Sequence, residues 1–334
     1  MDGGVSPSDA GVKPSNAVVL LFLVDGLQTA TVQTAIGAGA KNLKFIVDNG
    51  VTAETVHSTS PAARASLPDG SLPWGNATSG NVAVHTGCHL FESHQMDDIF
   101  LAARAAGIKS VFAGGDANYG TFTSADFHYA DSVADETMVQ HAIDHFRNDR
   151  ARLLRLHLQR IRDSWTGPTD KTTAASAYLQ HLLVVDGLLG QLIQTLKDGG
   201  AWDSTYVVVT SDHGMGDEMS STHSPSQASS WNNFMSFYGP GIKKGATIPY
   251  AELPDVALMT VHFLGLPPLK GHTDPAVTLA KKGTTGTFLS NIFEGASRDL
   301  DHPQYIEKYL QMGTFPSSAD NYAPYRQAML QLLK

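Results

Sequence analysis

Short apolar segments alternate with longer amphipathic segments along most of the chain. The run Val18–Val24 is continuously apolar, which is typical of a strand that is buried on both faces of a sheet. Thr205–Thr210 has the same character, and Ser110–Ala113 and Phe234–Tyr238 are shorter candidates for strands. Leu153–Leu158 is either a further strand or the continuation of the helix that precedes it.

Between these runs, apolar residues recur with the spacing of a helix. The predicted helices cover Lys41–Asn49, Asp97–Ala106, Asp135–Phe146, Ala174–Leu196 and Leu253–Phe263. Several of these segments are followed by glycine, which commonly ends a helix. Because strands and helices alternate, we predict an α/β fold with a mostly parallel central sheet and helices on both faces.

The length of 334 residues suits one large α/β domain or two small ones. We assign residues 17–288 to one α/β domain. Residues 289–334 contain helical patterns at Pro303–Gln311 and Tyr325–Leu333, and we expect a small helical appendage packed on the core. Residues 1–16 are rich in Gly, Pro, Ser and Asp, which predicts a flexible leader. That composition favours an exported protein, periplasmic or lipoprotein-like with its signal removed, over a cytoplasmic one.

Charge and composition exclude some classes of partner. The formal net charge is −9 and no long basic run occurs, so we expect no nucleic-acid binding. A small anionic substrate remains compatible, because bound cations and helix N-termini can reverse the local field. No apolar stretch has the length of a membrane span. The single cysteine, Cys88, excludes an internal disulfide, and the oligomeric state is not indicated.

Polar residues follow two of the predicted strands directly. Asp25 comes after the first strand, and Asp212 and His213 come after Thr205–Thr210. In open α/β sheets, ligands bind beyond the carboxyl ends of the strands. Carboxylate oxygens and imidazole nitrogens suit Zn²⁺ or a similar divalent ion, although Asp25 alone is also explained as a helix N-cap.

Residues 17–270 resemble the alkaline phosphatase superfamily, in particular type I phosphodiesterases/nucleotide pyrophosphatases and their sulfatase and phosphomutase relatives. The resemblance is carried by LFLVDGL, VVDGLLGQLIQTLKDGGAWDSTYVVVTSDHGMG and FYGPGIKKG. It implies an alkaline phosphatase-like fold and a metal-dependent hydrolase, or transferase, of phosphate, phosphodiester, phosphonate or sulfate esters. The implied cofactor is Zn²⁺, as one or two ions, with Mn²⁺, Mg²⁺ or Ca²⁺ as alternatives. The implied partner is a small anionic ester.

The resemblance also implies roles for individual residues. The implied first metal site is formed by Asp25, Thr78, Asp212 and His213. In this assignment Thr78 is the nucleophile, because it lies shortly before the turn Thr86-Gly87, and Asn81 binds an oxygen of the transferred group. The chemistry agrees, since a hydroxyl must be ionised to attack and metal coordination achieves this.

A rival assignment of the nucleophile remains open. The string that begins at Thr59 and Ser60 resembles the sulfatase-like pattern, in which a proline and an arginine follow the attacking residue. In that assignment, Pro68-Asp69-Gly70 stands where a Thr-Gly turn is expected. We therefore favour Thr78.

The second metal site departs from the pattern of the superfamily. The loop before Gly167-Pro168 lacks the histidine that a second ion normally uses. One alternative is that Asp163, His223 and a further ligand hold this ion. Another is that an arginine, Arg160 or Arg162, replaces it with a fixed positive charge. The third is a degenerate site, in which case the chain is a pseudoenzyme that binds an anionic ligand or a partner.

Overall fold

The computed structural model describes residues 16–59, 76–89, 97–115, 124–217, 223, 227–271, 283–313 and 322–333, with backbone alone at 76–79 and 322–326. Within these ranges the predicted α/β architecture is confirmed, with an eight-stranded, mostly parallel sheet and helices on both faces. The predicted leader lies outside the described residues, apart from Asn16. No helix in the described ranges is long and apolar enough to cross a membrane.

The sheet brings the ends of its central strands to one edge. The strands are β1 (Val18–Val24), β2 (Val51–His57), β3 (Ser110–Gly114), β4 (Phe127–Ala130), β5 (Leu153–Leu158), β6 (Thr205–Thr210), β7 (Met235–Tyr238) and β8 (Ala246–Glu252). Their order is β4-β3-β5-β1-β6-β7-β2-β8. Neighbouring strands are parallel except at β7, which is antiparallel to β6 and β2. The ambiguous segment at β5 is therefore a strand, paired in register with β1 and β3.

Helices cover both faces of this sheet. They are α1 (Thr29–Gly37), α2 (Lys41–Asn49), α3 (Asn76–Thr86), α4 (Ile99–Ala105), α5 (Asp135–Asp149), α6 (Arg160–Asp163), α7 (Ala177–Asp198), α8 (Ala228–Trp231), α9 (Asp255–Leu264), α10 (Tyr305–Gln311) and α11 (Tyr322–Leu332). Alternate residues of β1 enter different cores, because successive side chains of a strand point to opposite faces. Leu21 and Leu23 pack with α3, α4 and α9, whereas Leu20 and Phe22 pack with α1, α2, α5 and α7.

The C-terminal helices form a small hydrophobic cluster together with Trp231 of α8. Its members are Trp231, Ile306, Tyr309, Ala328, Met329 and Leu333. Leu289 and Ile292, by contrast, belong to the main core on the α9 face. The domain boundary at residue 288 remains a prediction.

Candidate metal centre

Buried carboxylates and imidazoles meet at the carboxyl edge of the sheet. Asp25 follows β1, Asp212 and His213 follow β6, and His157 is the penultimate residue of β5. The three strands are neighbours, with β1 between β5 and β6, so their ends lie side by side. All four side chains are fully buried.

The distances within this cluster are those of a shared ligand site. His213 Nε2 lies 3.4 Å from Asp25 Oδ1, and His157 Nε2 lies 3.6 Å from Asp25 Oδ2. Asp212 Oδ2 lies 3.7 Å from the Nε2 atom of each histidine. Ligand atoms of Asp25, His157 and Asp212 all fall within 4.8 Å of one another, which is compact enough for one metal ion.

Hydrogen bonds fix the tautomers of both histidines. His213 Nδ1 lies 2.8 Å from the carbonyl oxygen of Gly214, and His157 Nδ1 lies 3.0 Å from the side-chain oxygen of Asn81. Both partners can only accept, so each Nδ1 donates, and the Nε2 atom of each ring faces the carboxylates. Donation from the distal nitrogen in this way is typical of metal-ligating histidines.

The acceptors of this arrangement are only partly matched by donors. Within the described part of the chain, the carboxylate oxygens of Asp25 and Nε2 of His213 make no hydrogen bond, and Asp25 is approached only by the ion-pairing groups of neighbouring side chains. Buried polar atoms without partners are costly and uncommon. Two imidazole nitrogens and two carboxylates that face one another are positioned to share a cation between them. The donor set therefore fits a divalent cation, and Zn²⁺ suits a mixture of nitrogen and oxygen ligands.

Arg162 adds a fixed positive charge on one side of Asp25. Its Nη1 lies 3.1 Å from Asp25 Oδ2, and its Nη2 lies 3.0 Å from Asp163 Oδ1. Burial alone would raise the pKa of Asp25, but the neighbouring positive charge of the Arg162 guanidinium contributes most to lowering that pKa below its usual range. Asp25 is therefore ionised at neutral pH.

The other residues considered for a second ion lie in different surroundings. Arg160 forms a two-pronged ion pair with Glu136, at 2.5 and 2.7 Å, rather than reaching Asp25. The side chain of Asp163 is 61% exposed and pairs with Arg162. His223 lies beside the centre, with its ring edge-on to His213 at 4.8 Å between centroids. Burial and the neighbouring imidazole of His213 lower the pKa of His223 to about 3.

Helix α3 supports the centre from the side. Asn81 Nδ2 lies 3.5 Å from Asp212 Oδ2, and its side-chain oxygen accepts hydrogen bonds from Arg155 and His157. One turn later, His85 Nε2 accepts from Arg155 Nε at 3.0 Å. Burial, followed by the charges of Arg155 and His157, holds the pKa of His85 well below its ordinary value. Asn81 therefore contacts two metal-ligand candidates, in addition to its predicted role toward substrate.

The predicted nucleophile belongs to the first turn of α3, although the side chain of Thr78 is outside the described atoms. Two residues on, Gly80 lies so close to Asp212 that a Cβ atom would stand 2.1 Å from the Asp212 carbonyl oxygen. This contact packs the start of α3 directly against the metal centre. In the rival assignment, Thr59 is fully buried, and Ser60 lies outside the described residues.

Sequence analysis missed three buried residues of this site, His157, Arg155 and His85. In β5, positions 155 and 157 are polar while Leu154, Leu156 and Leu158 are apolar, so the polar pair occupies one face of the strand. That period of two was a usable signal. This alternation alone did not identify the strand, because the same segment also fits the continuation of the preceding helix.

Comparisons with known proteins agree with the fold. The sulfatase family model matches residues 89–245, a range that contains His157, Arg162, Asp212 and His213. A phosphonate monoester hydrolase from Agrobacterium radiobacter matches with a TM-score of 0.58 and 14% identity, covering 84% of this chain and 78% of that one. No curated protein sequence matches the chain.

Two further solved structures have the same architecture. An alkaline phosphatase superfamily protein from Vibrio parahaemolyticus matches with a TM-score of 0.56 and 15% identity over 76% of this chain and 67% of that one. Murine ectonucleotide pyrophosphatase/phosphodiesterase 5 matches with a TM-score of 0.52 and 15% identity, over 75% of this chain and 95% of that one. At such identities, structural likeness shows the fold and leaves the reaction open.

The matched solved structures include a phosphonate monoester hydrolase and an ectonucleotide pyrophosphatase/phosphodiesterase. The buried cluster of Asp25, His157 and Asp212 has the composition and spacing of a metal site. The sulfatase family model therefore matches residues 89–245 of a chain whose fold is like that of the alkaline phosphatase superfamily, as its sequence motifs predict.

Proposed function

We propose that the chain is a metal-dependent hydrolase, or transferase, of a phosphate, phosphodiester, phosphonate or sulfate ester. The observation that most supports this is the convergence of two buried carboxylates with two imidazole Nε2 atoms at the ends of β1, β5 and β6. Asp25, His157, Asp212 and His213 would hold one divalent ion, with Zn²⁺ preferred and Mn²⁺, Mg²⁺ or Ca²⁺ as alternatives.

A divalent ion in this site would supply a Lewis acid that stabilises an ionised hydroxyl and polarises the ester. In the proposed reaction, Thr78 Oγ loses its proton and bonds to the phosphorus or sulfur atom while the bond to the alcohol oxygen breaks, and that oxygen takes up a proton so that the alcohol leaves. Water then releases the acid from Thr78 and restores the hydroxyl. Backbone N–H groups in the first turn of α3 would help to bind the anion, since a helix N-terminus favours negative charge.

We propose that the guanidinium of Arg162 supplies the positive charge that a second metal ion would otherwise supply. Its guanidinium already neutralises Asp25 at 3.1 Å and is 22% exposed, so it can also reach an anion bound beside the centre. An arginine provides permanent charge and paired hydrogen bonds to oxygen atoms, which suits a tetrahedral anion. Asp163 and His223 then need not hold a second ion.

The test is hydrolysis of four esters: para-nitrophenyl phosphate, bis-para-nitrophenyl phosphate, para-nitrophenyl phenylphosphonate and para-nitrophenyl sulfate. The protein is stripped with a chelator and then reloaded with Zn²⁺ or Mn²⁺. We expect turnover of at least one ester after reloading only, and loss of that turnover in Asp212→Asn with a native circular dichroism spectrum. Turnover without metal would contradict the proposal. Zinc binding without turnover of any ester would support a pseudoenzyme that binds an anionic ligand.

A further inference from the structure

A cavity of about 460 Å³ lies next to the metal centre, at the carboxyl ends of β3 and β5. Gly115 and Gln159, which follow these strands, form part of its wall. Arg162 connects the cavity with the metal centre, since it lines the cavity and lies 3.1 Å from Asp25. A molecule in the cavity would therefore lie beside a group bound at the metal centre.

The charged groups around the cavity are already paired with one another. Arg160 is matched by Glu136, and Arg162 faces Asp25 on one side and Asp163 on the other. Asp135 accepts hydrogen bonds from the backbone N–H groups of Gln159 and Arg160, at 3.0 and 3.2 Å. With its arginines balanced by carboxylates, the described lining is poorly suited to a second anionic group. A neutral occupant is favoured.

The lining is rich in hydrogen-bonding groups and poor in rings. Among its described residues the one ring is His181, whose Nδ1 is hydrogen-bonded to Ser164. There is no tryptophan, tyrosine or phenylalanine in this lining on which a nucleobase or an aryl group could stack. Arginine, carboxylate and amide groups offer donors and acceptors in several directions, as neighbouring hydroxyl groups require.

We infer that this cavity binds the alcohol half of the ester, and that this half is a neutral, polyhydroxylated group such as a sugar. The inference rests on the proposed function, because it places the transferred group between the metal centre and Arg162. The volume lies within the range of roughly 300–1,000 Å³ that is usual for small-molecule sites. Val133 belongs to the lining, and its side chain is 43% exposed.

The test narrows the cavity and uses a matched control. Val133→Trp places a large ring in the lining, where the native side chain is 43% exposed and folding should tolerate the change. Val184→Trp is the control, because Val184 is 41% exposed on α7 and is not part of the lining. Each variant is assayed with the methyl ester and the hexose 6-O-ester of phosphoric and of sulfuric acid. The Thr78→Ala form of each is titrated with the same hexose esters by calorimetry.

We expect Val133→Trp to lower kcat/KM for the hexose ester by at least about tenfold, while the methyl ester is turned over at the wild-type rate. Calorimetric affinity for the hexose ester should fall in parallel, and Val184→Trp should match the wild type in both measurements. If the wild type hydrolyses a hexose ester and the two tryptophan variants have equal kcat/KM and equal affinity for it, the cavity assignment is overturned. An aryl ester hydrolysed without any binding or turnover of hexose esters would overturn the ligand class. No turnover of any ester would instead count against the proposed function.

Discussion

At the scale of single residues, the proposed centre depends on which nitrogen of each histidine faces the carboxylates. His157 and His213 both donate through Nδ1, to Asn81 and to the Gly214 carbonyl respectively, so both present Nε2 to Asp25 and Asp212. The strand-end rule predicted Asp25, Asp212 and His213 from sequence. His157 was not predicted, because its role depends on the strand assignment of β5 and on a partner that lies 76 residues away along the chain.

His157 should contribute directly to metal binding. His157→Ala removes one of the four candidate ligands, and we expect zinc affinity to fall by at least about 10–100-fold, the loss usual for an outer-shell partner of a metal. The measurement is a calorimetric zinc titration. His128→Ala on β4 is the control, because it also removes an imidazole from a strand but lies outside the cluster. Equal zinc affinity in both variants would remove His157 from the site.

The choice between the two candidate nucleophiles is also a question of single residues. Thr78→Ala should abolish turnover of the para-nitrophenyl ester while leaving bound zinc largely in place, because the hydroxyl is at most one of several ligands. Thr59→Ala should retain most of the rate. Metal content by mass spectrometry and initial rates would be measured on both variants. The reverse pattern of activities would establish the rival assignment.

The structure also distinguishes Arg160 from Arg162. Sequence alone supported both equally as the arginine that replaces a second metal ion. Arg162→Gln should weaken the binding of inorganic phosphate or sulfate by about 1.5–3 kcal/mol, the usual value of a hydrogen bond to a charged group. Arg160→Gln is the control, since Arg160 is held by Glu136. Calorimetric titration of both variants with the anion decides the matter. A larger loss in Arg160→Gln would refute the assignment of Arg162.

At the scale of secondary structure, the strands that sequence revealed most clearly are those with uniform burial. All residues of β1 and β6 are buried, so their apolar runs are unbroken. In β2 and β8 exposed and buried positions are mixed, and neither strand was predicted. The direction of Arg162 was equally inaccessible from sequence, because it is set by α6, a helix of only four residues between β5 and the following turn.

The position of helix α3 against β6 leads to a prediction about glycine. Gly80→Ala would place a Cβ 2.1 Å from a backbone oxygen of Asp212, so α3 or Asp212 must move. We expect a loss of about 1–3 kcal/mol in the free energy of unfolding, as for other overpacked sites, together with weaker zinc binding. Urea unfolding and zinc titration measure the two effects.

Gly187→Ala provides the matched control within another helix. A Cβ at Gly187, in the interior of α7, would meet nothing within 4 Å. Alanine is the better helix former, so this change should stabilise the protein by up to about 1 kcal/mol. If Gly80→Ala were as well tolerated as Gly187→Ala, the close packing of α3 on the metal centre would be wrong.

At the scale of the whole molecule, buried polar contacts tie the C-terminal segment to the sheet. Glu252, the last residue of β8, accepts hydrogen bonds from the backbone N–H of Ile306 at 2.9 Å and from Tyr250 at 2.7 Å. His302 Nε2 lies 2.7 Å from Asp255 Oδ2 at the start of α9. The helical patterns of this segment were predicted from sequence. Its attachment was not, because these contacts join residues about 50 positions apart that carry no shared motif.

This attachment should depend on pH through His302. Burial would lower the pKa of His302, but the hydrogen bond and charge of Asp255, with the charge of Glu252, raise it above its ordinary value. The stabilisation is therefore fully present below about pH 6.5 and is lost as the pH rises through the folded-state pKa. The difference in unfolding free energy between wild type and His302→Ala should be larger near pH 6 than near pH 9. Urea unfolding of both proteins at the two pH values measures this difference. An equal difference at both pH values would contradict the role given to His302.

The number of metal ions beside Arg162 is the most direct test of the proposed centre. A crystal of the wild-type protein soaked with zinc and phosphate should show one ion bound by Asp25, His157, Asp212 and His213. The phosphate should be contacted by both that ion and the guanidinium of Arg162. Two ions separated by about 3.5–4 Å, as in two-metal sites generally, would contradict the role given to Arg162. No ion at saturating zinc would contradict the proposed metal-dependent activity itself.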